Sequence, residues 1–198
     1  PSPWAVPTRV RMLLGFRIAH WCLMVSFAVL VWTGFALKYP ESWWAAPLLA
    51  FEGTFGFRGW LHRAAAIVMI GAFVWHLVHV MIDRRARGCI MKMVPTMHDV
   101  TEFRQRVQWM LGFRKEPPKC PTLGYPEKME YIALMWGTVV MVVTGFALWF
   151  ENWTLRVFPS WIGDVATVIH FYEAILATLA IIVWHFYFVI FDPVIYPM

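Results

Sequence analysis

Charged side chains are scarce: Asp, Glu, Lys and Arg make up 15% of the 198 residues, whereas 60% are apolar. Ordinary soluble domains carry about a quarter charged residues, so a water-soluble globule is not expected. Cysteine is sparse too. Cys22, Cys89 and Cys120 are widely spaced and odd in number, and form neither a Cys-x-x-Cys pair nor a Cys-x-x-Cys-His attachment site. That argues against a disulfide scaffold, an iron-sulfur cluster and covalent c-type haem. The apolar runs also lack the strict alternation of barrel strands and are about twice their length, which excludes a membrane β-barrel.

Long apolar runs and aromatics are what the chain has instead, with 13 Trp, 16 Phe and 6 Tyr. Ile18 to Leu37, Ala64 to Ile82 and Tyr131 to Phe150 contain no Asp, Glu, Lys or Arg, and Val165 to Phe191 contains only Glu173. At roughly 20 residues per crossing these are four membrane helices. The expected fold is all-α, an integral membrane four-helix bundle of two internally repeated helical hairpins. Its helices run over about residues 12–37, 62–82, 129–151 and 165–191 of one transmembrane domain spanning 1–198. Trp43 to Phe51 is interrupted by Pro47 and should lie on the membrane surface, where tryptophan suits the headgroup layer. The sequence opens at Pro1, so an upstream piece is expected; the first run lacks the short core and small-residue cleavage site of a signal peptide and should be retained.

The net charge is +5, and on an apolar chain a basic balance reports orientation rather than a nucleic-acid partner. Of 17 Lys and Arg, Arg9, Arg11 and Arg17 precede the first helix; Lys38, Arg58 and Arg63 flank the first loop; Arg156 lies in the last; the other ten fall between Arg84 and Lys128. The positive-inside rule places both termini and the basic loop 83–127 in the cytoplasm of a bacterial inner membrane, and the other two loops outside. Cys89 and Cys120 then face the reducing side. Asp99 to Phe113 is amphipathic, suited to the inner leaflet or to a partner helix.

The pentapeptide Thr33-Gly34-Phe35-Ala36-Leu37 recurs as Thr144-Gly145-Phe146-Ala147-Leu148. Val74-Trp75-His76, with Asp83 seven residues on, recurs as Val183-Trp184-His185 with Asp192. The two halves are copies of one hairpin. His62 lies 14 residues before His76 and His170 lies 15 before His185, offsets of about 40° and 60° on an α-helix, so each pair shares a face about 21 to 22.5 Å apart. Helices two and four run parallel and present paired imidazoles at two levels, His62 with His170 outside and His76 with His185 inside. Zinc would want more ligands per site, whereas haem iron takes two histidines with the macrocycle between them. Gly34 and Gly145 leave room for such a ring, close helix packing being their plainer explanation.

These residues resemble the transmembrane dihaem cytochrome b group over nearly the whole chain. The 14 and 15 spacing resembles the cytochrome b of b6f-type complexes, where four such histidines bind two b haems. Arg17-Ile18-Ala19-His20-Trp21, Leu61-His62 and Glu127-Lys128-Met129 resemble the gamma subunit of respiratory formate dehydrogenase and the cytochrome b of nickel-iron hydrogenases. In that pattern the position of His20 supplies the inner ligand in place of His76. The repeat favours His76, because Tyr131 stands opposite His20; a third haem on His20 and His79 is a further alternative.

The resemblance implies two haems b, quinone as the exchangeable substrate, and an outer redox partner carrying iron-sulfur clusters or c-type haems. The quinone is expected near His20, Tyr125 to Lys128 and the inner end of helix two. Arg63 is placed to pair a haem propionate or to anchor at the interface. Glu173 is a proton acceptor near the outer haem, a hydrogen-bond partner or a snorkelling carboxylate. His79 is expected to hydrogen-bond within the bundle, and His98 needs no special role. Two other classes stay open: a cofactor-free membrane anchor, and a proton or metal-ion transporter using intramembrane His and Glu.

Overall fold

The computed structural model describes residues 14–116 and 124–191, apart from the side chains of Thr54 and Phe55. Arg9, Arg11, Cys120 and Asp192, used in the charge, cysteine and repeat arguments, lie outside the described residues. Among the described residues all regular structure is helical, and four helices are long and apolar enough to cross a bilayer. The chain is an all-α, multi-pass membrane protein. It divides into two compact units, one ending at Arg87 and the other beginning at Gly88.

The first unit pairs α1 (Leu14–Lys38) with α4 (Phe57–Ile82), joined by the single turns α2 (Ala46–Leu49) and α3 (Glu52–Phe55). Lipid offers the backbone no hydrogen bonds, so an uninterrupted apolar run with no internal proline satisfies itself as helix. The seam is built of small residues: Ala19, Ser26 and Thr33 recur every seventh position on α1, with Ala65 and Ala72 on α4. Small side chains let two backbones approach closely, which drives helix association where there is no hydrophobic force between helices. The Ser26 and Thr33 hydroxyls each donate to their own helix, to Cys22 O at 2.6 Å and Val29 O at 2.7 Å, and so enter the seam satisfied. Large residues such as Ile67, Val68, Met81 and Ile82 remain exposed, as lipid-facing positions require.

The loop segment Trp43 to Phe51 folds back onto the hairpin. Ala45 and Leu48 bury against Ala36, with Trp44, Leu49 and Leu61 around them. Trp43, by contrast, is 86% exposed and free to sit among headgroups. Gly56 then takes φ +57°, a left-handed turn that disfavours any residue with a Cβ. That turn brings Glu52 over the start of α4, where Oε2 accepts from Arg58 N at 2.6 Å and Oε1 lies 3.3 Å from the Arg58 guanidinium. A carboxylate there complements the positive helix end.

A short α5 (Arg84–Met91) bridges the two units in sequence. The second unit contains α6 (Met97–Met110), α7 (Tyr125–Trp149), α8 (Glu151–Val157) and α9 (Trp161–Leu179). The last helix continues as π-helical turns over Ala180–His185 and Tyr187–Phe191. α7 packs on α9, and α8 closes the connection, with the Thr154 hydroxyl donating to Ala147 O at 2.9 Å.

The amphipathic stretch expected over 99–113 is helical as far as Met110, with Asp99, Glu102 and Arg106 buried and Met97, Val100, Met110 and Leu111 exposed. The reason is the start of α7. Lys128 Nζ donates to both Asp99 oxygens at 2.7 and 2.9 Å, and Tyr125 N donates to Glu102 Oε2 at 3.3 Å. Arg106 lies over the Trp109 and Phe188 rings. Burial alone would raise the Asp99 carboxyl, but hydrogen bonds from Lys128 and Thr96 outweigh it and hold the group below the usual carboxylate range.

A depressed folded-state value means stability that is complete above the ordinary Asp value of about 3.9 and is lost as pH falls through the lower folded one. The protection of the α6 amides, measured as exchange relative to the intrinsic rate at each pH, is therefore expected to hold from neutrality down to about pH 4, and to fall below it. Asp99→Asn should lower protection at neutral pH and make little further difference at acid pH, where the wild-type carboxyl is itself protonated; an α6 that stays protected at neutral pH in that variant would contradict the clasp.

Candidate functional site

His62 sits in the second turn of α4, just beyond the Glu52 cap, with its Nδ1 2.7 Å from Thr33 Oγ1. Thr33 is fully buried and its hydroxyl has one proton, directed to Val29 O at 2.7 Å. Two oxygens that close need that proton between them. Toward His62 the hydroxyl is therefore an acceptor, and the imidazole carries its proton on Nδ1. Its Nε2 keeps a lone pair, the state a metal ligand requires. Gly34, next along α1, lies against the same ring: a Cβ there would stand 3.6 Å from His62 Cε1.

The second unit repeats the arrangement. Thr144 donates to Val140 O at 2.7 Å and accepts from His170 Nδ1 at 2.9 Å, and a Cβ on Gly145 would stand 3.3 Å from His170 Cε1. The duplicated Thr-Gly pair thus does one job twice, fixing tautomer and ring orientation of the histidine on the facing helix. Such hydrogen bonds contribute about 1 kcal/mol each, so their larger effect is on which nitrogen is available. The donor set fits haem iron, which takes one neutral imidazole nitrogen from each side.

His185 is held differently. Its Nδ1 donates to Glu130 Oε2 at 2.9 Å, on the first turns of α7, again leaving Nε2 as the lone-pair nitrogen. It closes the π-helical stretch Ala180–His185. An i→i+5 stretch absorbs one residue beyond α-helical register. The 15-residue step from His170 therefore behaves like the 14-residue step from His62 to His76, and the two stripes match.

His76 is half-buried, its ring 5.4 Å from that of Phe16 on α1. His79, one turn on, faces the same Phe16 at 5.3 Å, stacks on Trp75, and lies so close to α1 that a Cβ on Gly15 would meet its Nε2 at 3.0 Å. The expected hydrogen bond is not made by that nitrogen: His79 Nε2 is buried with no hydrogen-bond partner among the described residues, and the nearest Asp83 oxygen is 4.0 Å away. Ring packing holds this residue. His20 is exposed on α1, 14 residues before Gly34 and so on the same stripe to within about 40°. Arg63 is exposed beside His62. Glu173 lodges where α7 has no side chain, its Oε1 2.7 Å from the position a Gly137 Cβ would take. Exposed His98 pairs with Glu102 at 3.0 Å.

Sequence reasoning missed Thr33, Thr144, Glu130 and Gly137. The threonines carried a signal, since each precedes the repeated glycine. Glu130 had none in the repeat, where Ala19 stands opposite it.

Two comparisons bear on the site. The profile of a family described as prokaryotic cytochrome b561 matches residues 11–197. A Haemophilus influenzae protein, described as the cytochrome b556 subunit of formate dehydrogenase, is 23% identical over 171 residues. The match covers 86% of this chain and 66% of that protein, so this chain spans just under two thirds of its relative's length.

The glycine contacts rank three substitutions. Gly15→Ala meets a ring pinned at 3.0 Å and Gly145→Ala one at 3.3 Å, whereas Gly34→Ala makes an ordinary 3.6 Å contact. Overpacking costs about 1–3 kcal/mol, while alanine in a helix gains up to about 1 kcal/mol over glycine. Thermal unfolding of the purified chain should show the largest loss for Gly15→Ala, a smaller loss for Gly145→Ala, and little or none for Gly34→Ala.

Proposed function

The chain belongs to the prokaryotic cytochrome b561 family, and from that premise we propose a membrane subunit that passes electrons through two haems b, between an outer redox partner and the membrane quinone pool. A b-type cytochrome in electron transfer is what the family and the formate dehydrogenase relative jointly support. The single observation that carries the finer reading is the duplicated clasp, Thr33 on His62 and Thr144 on His170, which keeps the proton on Nδ1 and makes Nε2 the metal-binding nitrogen of each ring. When bound, each haem supplies a one-electron Fe(III)/Fe(II) couple.

In this reading His62 and His170 ligate the outer haem, and His185 with His76 the inner one. Gly34 and Gly145 let the Cε1 edges of the outer imidazoles come close to their neighbouring helices, Arg63 pairs with a propionate, and Glu173 holds a polar position one turn from His170. The basic stretch from Arg84 to Lys128 keeps its side in the cytoplasm. Quinone exchanges at the inner level, near Tyr125 to Lys128 and His20. The outer partner carries iron-sulfur clusters or c-type haems, in keeping with the formate dehydrogenase description of the Haemophilus protein.

A second reading of the inner ligand rests on the exposure of His20. A ligand shared between hairpins must project from its own, and His20 stands 14 residues from Gly34 just as His76 stands 14 from His62. Both imidazoles are therefore level with the inner site.

Haem extraction separates these readings. Two haems per chain and a reduced-minus-oxidised b-type band are expected, falling to one haem in His62→Ala or His170→Ala. Loss of the second haem in His76→Ala but not His20→Ala supports the repeat-based ligand. The reverse moves the ligand to α1, and three haems at the outset assign both. A colourless preparation with haem supply assured would favour the anchor or transporter classes.

A further inference from the structure

We propose that Glu130 is the positioning residue that sets the inner haem's potential below the outer one's, by giving His185 an anionic hydrogen-bond acceptor where the outer ligands have neutral ones. The inference rests on the two-haem reading above.

The Nδ1 atoms of the proposed ligands meet acceptors of two kinds: His62 is held by Thr33 at 2.7 Å, His170 by Thr144 at 2.9 Å, and His185 by Glu130 at 2.9 Å. The first two acceptors are hydroxyls whose protons are committed to their own backbones. The third is a carboxylate, and charge-assisted hydrogen bonds are roughly twice as strong as neutral ones. As the Nδ1 proton is drawn toward a carboxylate, Nε2 becomes the more basic, more electron-donating ligand. Ferric iron carries one more positive charge than ferrous, so a stronger donor and a nearby negative charge both favour the ferric state. The two effects have the same sign.

The negative charge is not cancelled locally. Glu130 Oε1 is buried with no hydrogen-bond partner among the described residues, so no second donor shares the carboxylate there. Lys128, the nearest cation along α7, directs its ammonium to Asp99 at 2.7 and 2.9 Å. At Nδ1 the histidines read as outer ligands meet hydroxyls instead, Thr33 and Thr144, which sit at matched places in the repeat, while Glu130 stands opposite Ala19. The duplication supplied two equal ligand pairs, and this one carboxylate makes the levels unequal.

The experiment is an optical redox titration of the purified, haem-loaded full chain, following the b-type band. Wild type is expected to show two one-electron waves, the one surviving in His62→Ala belonging to the inner haem and lying at the lower potential. Glu130→Gln keeps an acceptor oxygen and removes the charge. It should raise the lower wave by about tenfold in the ferrous-to-ferric ratio, about 59 mV for one electron, and leave the upper wave in place. Two haems with neither wave moved, or both moved equally, would overturn the role of Glu130 while leaving the haem reading standing. If Glu130→Gln retains only one haem, Glu130→Asp serves: its shorter stem weakens the hydrogen bond, and a lower wave that rises supports the proposal while one that stays overturns it. A wild-type protein without haem, or with haem content indifferent to His185→Ala, takes down both readings together.

Discussion

A particular imidazole nitrogen is open to a metal only when the ring's proton is kept on the other one. In each hairpin that condition is met by a threonine hydroxyl that has already given its proton to the carbonyl four residues back. Everything else around these two histidines follows from this contact. The hydroxyl reaches its histidine because the helices approach closely, and they do so because alanine, serine and threonine line the seam of α1 and α4. Glycine beside each threonine lets the Cε1 edge of the ring come close to the neighbouring helix. At Gly145, where a Cβ would stand 3.3 Å from the ring, even alanine would push it and loosen the proton's position, whereas the 3.6 Å contact at Gly34 leaves room for a methyl group.

The parts of this architecture that are one-dimensional were legible in the sequence. Four uncharged runs fix four spans, because lipid tolerates little else; a repeated pentapeptide reveals the duplication; and histidine spacing identifies shared faces. What escaped depends on contacts across helices. Thr33 and Thr144 read as ordinary seam residues, since nothing in a single strand of letters says which histidine a hydroxyl meets. Glu130 fell just before the apolar run counted from Tyr131. The sidedness of α6 was not legible either, because it depends on Lys128 and the Tyr125 amide, which draw Asp99 and Glu102 inward.

The unequal histidine spacings, 14 and 15 residues, are a discordance of register within the duplication. The π-helical turn ending at His185 removes it. A bilayer gives a spanning helix no loop in which to place an extra residue, so the residue is taken up by widening the helix itself. The widened turn ends on the histidine, and widened turns are frequent where side chains must be aimed.

Each clasp is closed inside its own hairpin, Thr33 with His62 and Thr144 with His170. Biogenesis inherits a freedom from this. A hairpin leaving the insertion machinery already carries its imidazole in the correct proton state, before its sibling has been synthesised. Pigment capture then orders few additional torsions, and lateral assembly of the halves can come before or after it.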